Sequence, residues 1–188
     1  MKLIGISGTN GSGKDTIAHM LVDRHNFYFA SATEMLGNEL TRRNLPHERE
    51  NKRNLSAEWR REFGLGVIVD KAVEEAKAAG KENVVVASLR NSGEVDRVHE
   101  FGGTMVWVDS DPKVRYERIK NANRGRVEDM KTFEQFLLEQ EAEMHPSGDS
   151  ATLNMATVKE RSDLFINNDS SDIDSFMDDT EKALKDLL

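Results

Sequence analysis

The stretch Gly8-Thr9-Asn10-Gly11-Ser12-Gly13-Lys14 decides the fold of this chain. It fits the pattern G-x-x-x-x-G-K, and it lies between a short apolar run at residues 3–6 and a helical repeat that begins at Ile17. Glycines in such a loop let backbone N–H groups turn inward around phosphate oxygens, and the N-terminus of the next helix adds a favourable dipole. An incidental glycine turn would not explain why strand, loop, lysine and helix occur in this order. We therefore predict a nucleotide phosphate-binding loop (P-loop) made by Gly8, Asn10, Gly11, Ser12, Gly13, Lys14, Asp15 and Thr16.

Two residues of this loop have predicted roles in chemistry. Lys14 is expected to reach the β- and γ-phosphates and to offset charge during phosphoryl transfer. Asp15 stands where a serine or threonine usually contacts Mg²⁺. A carboxylate beside bound phosphates would be repelled unless Mg²⁺ lay between them, but an acidic residue in a first helical turn is also favoured by the helix dipole alone. The sequence leaves both interpretations of Asp15 open.

Composition excludes several classes of protein. The chain has 188 residues, no cysteine and a formal net charge of −8, so disulfides and thiolate metal sites are absent. Such a charge gives no electrostatic help in approaching nucleic acid or an anionic membrane, and we predict neither as a partner. The N-terminus lacks a signal-like apolar stretch, and no run approaches transmembrane length, which favours a cytoplasmic protein. We expect a monomer or homodimer that binds a small anionic molecule through local arginines and lysines.

The alternation of apolar runs with helical repeats predicts an α/β fold. We expect a single domain over residues 1–188, a three-layer αβα P-loop NTPase fold with helices on both faces of a five-stranded parallel sheet. The five predicted strands lie at residues 3–6, 27–30, 83–89, 104–108 and 164–166.

The order of these segments resembles the nucleoside monophosphate kinase group, which includes adenylate, deoxynucleotide and dephospho-coenzyme A kinases. The nearest likeness is to a set of small archaeal-type P-loop kinases. The resemblance covers nearly the whole chain, and Ser31-Ala32-Thr33-Glu34-Met35-Leu36 falls where such kinases open their substrate-binding helices. It implies a helical insert for the acceptor at residues 31–66, and a lid-like region at residues 120–156 with a hinge near 146–148.

The resemblance also implies which arginines hold the acceptor phosphate. Arg42 and Arg60 lie in the two charged helices of the insert, and Arg90 lies in the turn after the third strand. Ligands of open α/β sheets bind at the carboxyl ends of strands, which supports Arg90 independently. Arg42 and Arg60 could instead be solvated surface residues, and Arg90 could belong to a structural ion pair.

Arg118, Arg124 and Arg126 match the region that supplies lid arginines in this group. Guanidinium groups there stabilise charge on the transferring phosphoryl, so these three are predicted catalytic residues. Kinases of the group often carry a Mg²⁺-organising aspartate at the end of the third strand, where this chain has Ala87 or Ser88. We therefore predict that Asp15, together with Asp109 after the fourth strand, organises the metal.

These residues predict an ATP-dependent phosphotransferase that uses Mg²⁺ and acts on a nucleoside or deoxynucleoside monophosphate. Dephospho-coenzyme A kinase is the alternative enzyme, in which Asp15 would be the candidate base for a ribose hydroxyl. A nucleotide-binding regulatory module without transfer is the alternative from another class.

Overall fold

Five parallel strands form one sheet at the centre of the molecule. In the computed structural model, residues 1–122, 131–145 and 148–188 are described. The strands are β1 (Lys2–Gly8), β2 (Tyr28–Ser31), β3 (Asn83–Ala87), β4 (Thr104–Asp109) and β5 (Leu164–Asn167), and their order in the sheet is β2-β3-β1-β4-β5. The P-loop follows β1, the central strand, which pairs with β3 on one side and with β4 on the other.

Nine α-helices surround the sheet in the described part of the chain. They are α1 (Lys14–His25), α2 (Ala32–Arg42), α3 (Arg49–Phe63), α4 (Val67–Ala78), α5 (Ser92–Glu100), α6 (Pro112–Asn121), α7 (Phe133–Met144), α8 (Met155–Glu160) and α9 (Ile173–Ala183). A short 3-10 turn, Lys185–Leu187, follows the last of them. None of the helices within the described ranges is long and apolar enough to span a membrane.

The sheet separates two hydrophobic cores because successive strand residues point to opposite faces. Val85 and Ala87 of β3 pack with residues of α1 and α9. Val84 and Val86 of the same strand pack on the other face, with residues of α4, α5 and α8. Helices therefore cover both faces, and the predicted three-layer fold with a five-stranded parallel sheet is confirmed.

Two differences between the predicted and the observed structure affect the site. The third strand ends at Ala87 rather than Leu89, because Ser88 adopts a positive φ of 70° that turns the chain out of the sheet. The sequence left open that Arg60 is a solvated surface residue, but Arg60 and its neighbour Trp59 in α3 are buried. The α3 helix therefore contributes to the core as well as to the cleft. Arg124, Arg126 and residues 146–147 of the predicted hinge lie outside the described residues.

Candidate functional site

The backbone of the P-loop requires glycine at two positions. Gly8 has a φ of +141°, and a Cβ there would lie 1.9 Å from the carbonyl oxygen of Val108. Gly13 has a φ of +99°, and a Cβ there would lie 2.4 Å from Nδ2 of Asn168. Residues with a side chain rarely adopt such φ values, and a Cβ has no space at either position. Glycine therefore leaves the backbone of the loop open to close approach by a ligand.

Lys14 is buried at the start of α1, where Nζ donates a hydrogen bond to the carbonyl oxygen of Thr9 at 2.6 Å. Burial, and to a smaller extent the nearby charge of Arg90, lower the pKa of Lys14 to about 7. Ser12 is also buried, and its hydroxyl has no hydrogen-bond partner in the part of the chain described. A buried cation and an unpaired buried hydroxyl beside a glycine loop suit a polyphosphate ligand.

Asp15 and Thr16 lie in the first turn of α1, with Asp15 exposed and Thr16 half-buried. The described ranges contain no group of three or more His, Asp or Glu side chains that could hold a metal ion. Asp15 therefore offers a carboxylate near the loop that does not belong to such a group. This fits Mg²⁺, which is commonly bound by one or two carboxylates together with substrate phosphates and water.

Asp109, at the end of β4, is surrounded by hydrogen-bond donors. Its Oδ1 accepts from Thr9 Oγ1 at 2.8 Å and from the Ser110 N–H at 3.0 Å. Its Oδ2 accepts from Trp107 Nε1 and from Lys159 Nζ, both at 3.3 Å. Burial would raise the pKa of Asp109, but these hydrogen bonds and the charge of Lys159 outweigh it and hold the pKa below its usual range. In this arrangement Asp109 fastens the P-loop to β4, and metal binding would require it to exchange these donors.

Arg115 of α6 is a site residue that the sequence did not single out. Its guanidinium donates to the carbonyl oxygens of Ser110 at 2.8 Å and of P-loop Asn10 at 3.3 Å, and the residue is buried. It also lies 5.4 Å from the ring centre of Phe136 in α7. The signal was present, since Arg115 lies on the same helix as Arg118, but nothing in the spacing showed which arginine turns toward the loop.

Arg118 reaches the chain between β5 and α9 rather than an open cleft. It donates to the carbonyl oxygen of Asn168 at 2.9 Å and to that of Ser170 at 2.7 Å. Asn168 in turn donates from Nδ2 to the carbonyl oxygen of Ser12 at 2.9 Å. Arg118 is therefore linked to the P-loop through Asn168, and the predicted lid role of Arg118 stays a prediction.

The structure does not bring Arg42 and Arg60 to the P-loop. Arg42 is exposed and forms a bidentate pair with Glu39 on its own helix, at 2.7 and 2.8 Å. Arg60 is buried, and its guanidinium is fully engaged inside the fold. It donates to Glu94 Oε1 at 2.7 and 3.1 Å, to Ser56 Oγ and to the carbonyl oxygen of Ala151. These contacts tie Arg60 into the fold, and its predicted acceptor role stays a prediction.

Arg90, by contrast, lies in a group of charges beside the loop. Glu94 fixes its position, because Oε2 of Glu94 accepts the backbone N–H groups of Arg90 at 2.6 Å and of Asn91 at 3.0 Å. The Arg90 guanidinium donates to Glu143 Oε2 of α7 at 3.1 Å. Arg49 and Arg53 of α3 both donate to Glu143 Oε1, the latter at 3.0 Å. We call Arg49, Arg53 and Arg90 the arginine cluster.

One member of the arginine cluster, Arg49, lines a cleft together with the P-loop. Thr9 and Asn10 of the loop line it together with Arg49, Arg115 and Glu143. The charges of Arg90 and Glu143 both act on the pKa of Lys14, the first lowering it and the second raising it. A donor-type phosphate site and a concentration of arginines thus lie at the carboxyl ends of β1 and β3, where open α/β sheets bind ligands.

The fold and the site together define a P-loop protein of the kinase-like type. A family model described as AAA domain matches residues 4–139, and the chain belongs to this family. A UPF0200 protein of Thermococcus kodakarensis is 30% identical over 143 residues, which cover 71% of this chain and 74% of that protein. Another from Pyrobaculum aerophilum is 28% identical over 189 residues, with coverage of 100% and 99%.

Solved structures of small-molecule kinases have the same fold. Shikimate kinase from Bacteroides thetaiotaomicron matches with a TM-score of 0.58 and 18% identity, over 97% of this chain and 98% of that one. A gluconokinase from Sinorhizobium meliloti matches with a TM-score of 0.54 and 14% identity, over 99% and 93%. At these identities the likeness establishes the kinase-like P-loop fold, not the nucleoside monophosphate kinase type that the sequence suggested.

Proposed function

We propose that this protein transfers the γ-phosphoryl group of ATP to a nucleoside or deoxynucleoside monophosphate. The observation that carries the proposal is that Arg49 of the arginine cluster lines one cleft with Thr9 and Asn10 of the P-loop, and that the charge of Arg90 acts on Lys14. A loop of N–H groups suits the polyphosphate of the donor, and guanidinium groups suit a second phosphate on the acceptor.

The transfer needs positioning and charge more than covalent chemistry from the protein. An oxygen of the acceptor phosphate forms a bond to the γ-phosphorus, the bond to the β,γ-bridging oxygen breaks, and ADP leaves with that oxygen's electron pair. Lys14 offsets the charge that develops there, and Arg115 holds the P-loop at Asn10. Mg²⁺, when bound with ATP, would neutralise phosphate charge, with Asp15 as the carboxylate available to it. A monophosphate is already ionised at neutral pH, so no general base is required.

The experiment is a panel of acceptors incubated with ATP·Mg²⁺, with products identified by mass. It includes ribo- and deoxynucleoside monophosphates and dephospho-coenzyme A, and Lys14→Met serves as the control for transfer at this site. We expect a nucleoside diphosphate product that Lys14→Met does not form. Transfer to dephospho-coenzyme A alone would support the alternative enzyme, and tight nucleotide binding without any acceptor-dependent turnover would support a regulatory module.

A carboxylate-bearing acceptor is a second candidate, because the arginine cluster holds the Glu143 carboxylate in the structure. Shikimate and gluconate, named for the kinases that share this fold, both carry a carboxylate. Adding the two compounds to the panel tests this candidate directly.

A further inference from the structure

The arginine cluster binds an anion that belongs to the chain itself. Arg49 and Arg53 of α3 and Arg90 after β3 all donate to the carboxylate of Glu143, which is the penultimate residue of α7. The Glu143 side chain is only 9% exposed. The three arginines come from two separate parts of the fold and Glu143 from a third, so this is a convergent site rather than neighbouring charges along one helix.

The positive charge of the cluster exceeds that of the anion it holds. Three guanidinium groups meet one carboxylate. Among the described residues, the next carboxylate that pairs with a side chain of the cluster is Glu139, which is 3.7 Å from Arg49 and is shared with Lys131. Burial lowers the pKa of Arg90, and the charges of Arg49 and Arg53 act in the same direction. On a chain with a net charge of −8, such a local excess calls for an anion with more charge than a carboxylate.

The hydrogen-bond geometry indicates the same kind of ligand. Arg49 and Arg53 share one oxygen of Glu143, while Arg90 uses the other. A carboxylate offers two oxygens to the three guanidinium groups, whereas a phosphate monoester presents three terminal oxygens and about two negative charges at neutral pH. A phosphate monoester could therefore give each guanidinium an oxygen of its own.

We propose that the Glu143 carboxylate occupies the place of the acceptor's phosphate monoester, and that acceptor binding displaces Glu143 from the arginine cluster. The inference rests on the proposed function, since it assigns the acceptor half of the same cleft. It makes Glu143 a built-in competitor, which offsets part of the cluster's charge and keeps its arginines ordered until an acceptor arrives.

Displacement lowers the affinity of the wild-type site for its ligand. Burial would raise the pKa of Glu143, but the charges of Arg90, Arg49 and Arg53 outweigh it and hold the pKa below the usual range. The carboxylate is therefore ionised at neutral pH and competes as an anion. An apparent dissociation constant equals the intrinsic one divided by the fraction of molecules with the site open, so removing the competitor strengthens binding.

The test is a calorimetric titration, in which inorganic phosphate is added to the Lys14→Met variant and to the Lys14→Met/Glu143→Gln double variant. Both chains carry Lys14→Met so that phosphate binding at the P-loop is weakened equally. We expect the Glu143→Gln chain to bind phosphate at least about tenfold more tightly, and acetate much more weakly than phosphate. A gain of less than twofold, or equal affinity for acetate and phosphate, would overturn the proposal.

Two further variants serve as controls for the effect of Glu143→Gln on phosphate binding. Glu58→Gln removes a carboxylate that pairs with Arg43, the residue after α2. This pair lies outside the cluster, and the variant should leave phosphate binding unchanged. Arg53→Gln removes a half-exposed member of the cluster and should weaken phosphate binding several-fold even if Glu143→Gln folds poorly; no change would contradict the assignment. The titrations use no ATP, so a positive result without transfer would refute only the proposed function, and transfer without the phosphate gain would refute only this inference.

Discussion

Replacing Arg60 with methionine distinguishes a structural arginine from a substrate-binding one. Its side chain is 3% exposed and that of Glu94 is 1% exposed, and the two form a buried pair at 2.7 Å. Removing one partner of such a pair typically costs about 3–5 kcal/mol, because the remaining charge is left without compensation. The carbonyl of Ala151 would also lose a donor. We therefore expect Arg60→Met to destabilise the fold strongly and to change acceptor binding little.

The size of the effect on melting temperature follows from chain length. For 188 residues, an unfolding entropy of about 2.1 cal/mol/K per residue converts 3–5 kcal/mol into a decrease of roughly 8–13 °C. Thermal unfolding followed by circular dichroism measures it. The control is Arg43→Met, which removes partly exposed pairs with Glu39 and Glu58 and should cost no more than about 1 kcal/mol, or roughly 3 °C. A decrease below 3 °C for Arg60→Met, or an unchanged melting temperature with a tenfold rise in the acceptor KM, would refute this reasoning.

Three further predictions concern the P-loop. The unfolded chain keeps the Lys14 proton up to about pH 10.5 but the folded chain only up to about 7, so the unfolded state binds more protons between these values. Stability should therefore rise with pH in that window, by at most about 1.4 kcal/mol per unit, and urea unfolding should lose this increment in Lys14→Met. Gly13→Ala, with its positive φ and blocked Cβ position, should cost about 1–3 kcal/mol and abolish nucleotide binding in a calorimetric titration. Asp15→Ala should leave the melting temperature within about 2 °C because Asp15 is exposed, but should raise the KM for ATP·Mg²⁺ about tenfold; normal turnover would exclude Asp15 from metal binding.

The fold could be predicted because its determinants are local. A glycine loop between an apolar run and a helical repeat is contained within about twenty residues, and the buried run around Val85 is continuous, as expected of a central parallel strand. The end of β3 was placed two residues late, because the positive φ of Ser88 depends on the turn that carries Arg90 to the cleft. Non-glycine residues seldom adopt such a φ, so periodicity gave no sign of it.

The acceptor side could not be read from the sequence in the same way. Arg49 and Arg53 lie in a helix so rich in charge that a solvated surface was the simpler interpretation, and their partner Glu143 is 90 or more positions away. Arg60, chosen from the same helix, has a buried carboxylate as its partner instead. Tertiary contacts decide which arginine of a charged helix points inward. Such contacts join residues far apart in the sequence, so they produce no regular spacing that a single sequence could show.

The central position of β1 in the sheet has a consequence for biosynthesis. Both strands that pair with it, β3 and β4, begin about 80 and 100 residues later in the chain. At a translation rate of about 5–20 residues per second, β1 and its glycine loop wait roughly 4–16 s after leaving the ribosome before the first of these neighbours is synthesised. During that interval β1 is unpaired, and its apolar residues Leu3, Ile4 and Ile6 are exposed to other nascent chains. Slower translation between residues 30 and 100 should therefore increase aggregation and the demand for chaperones.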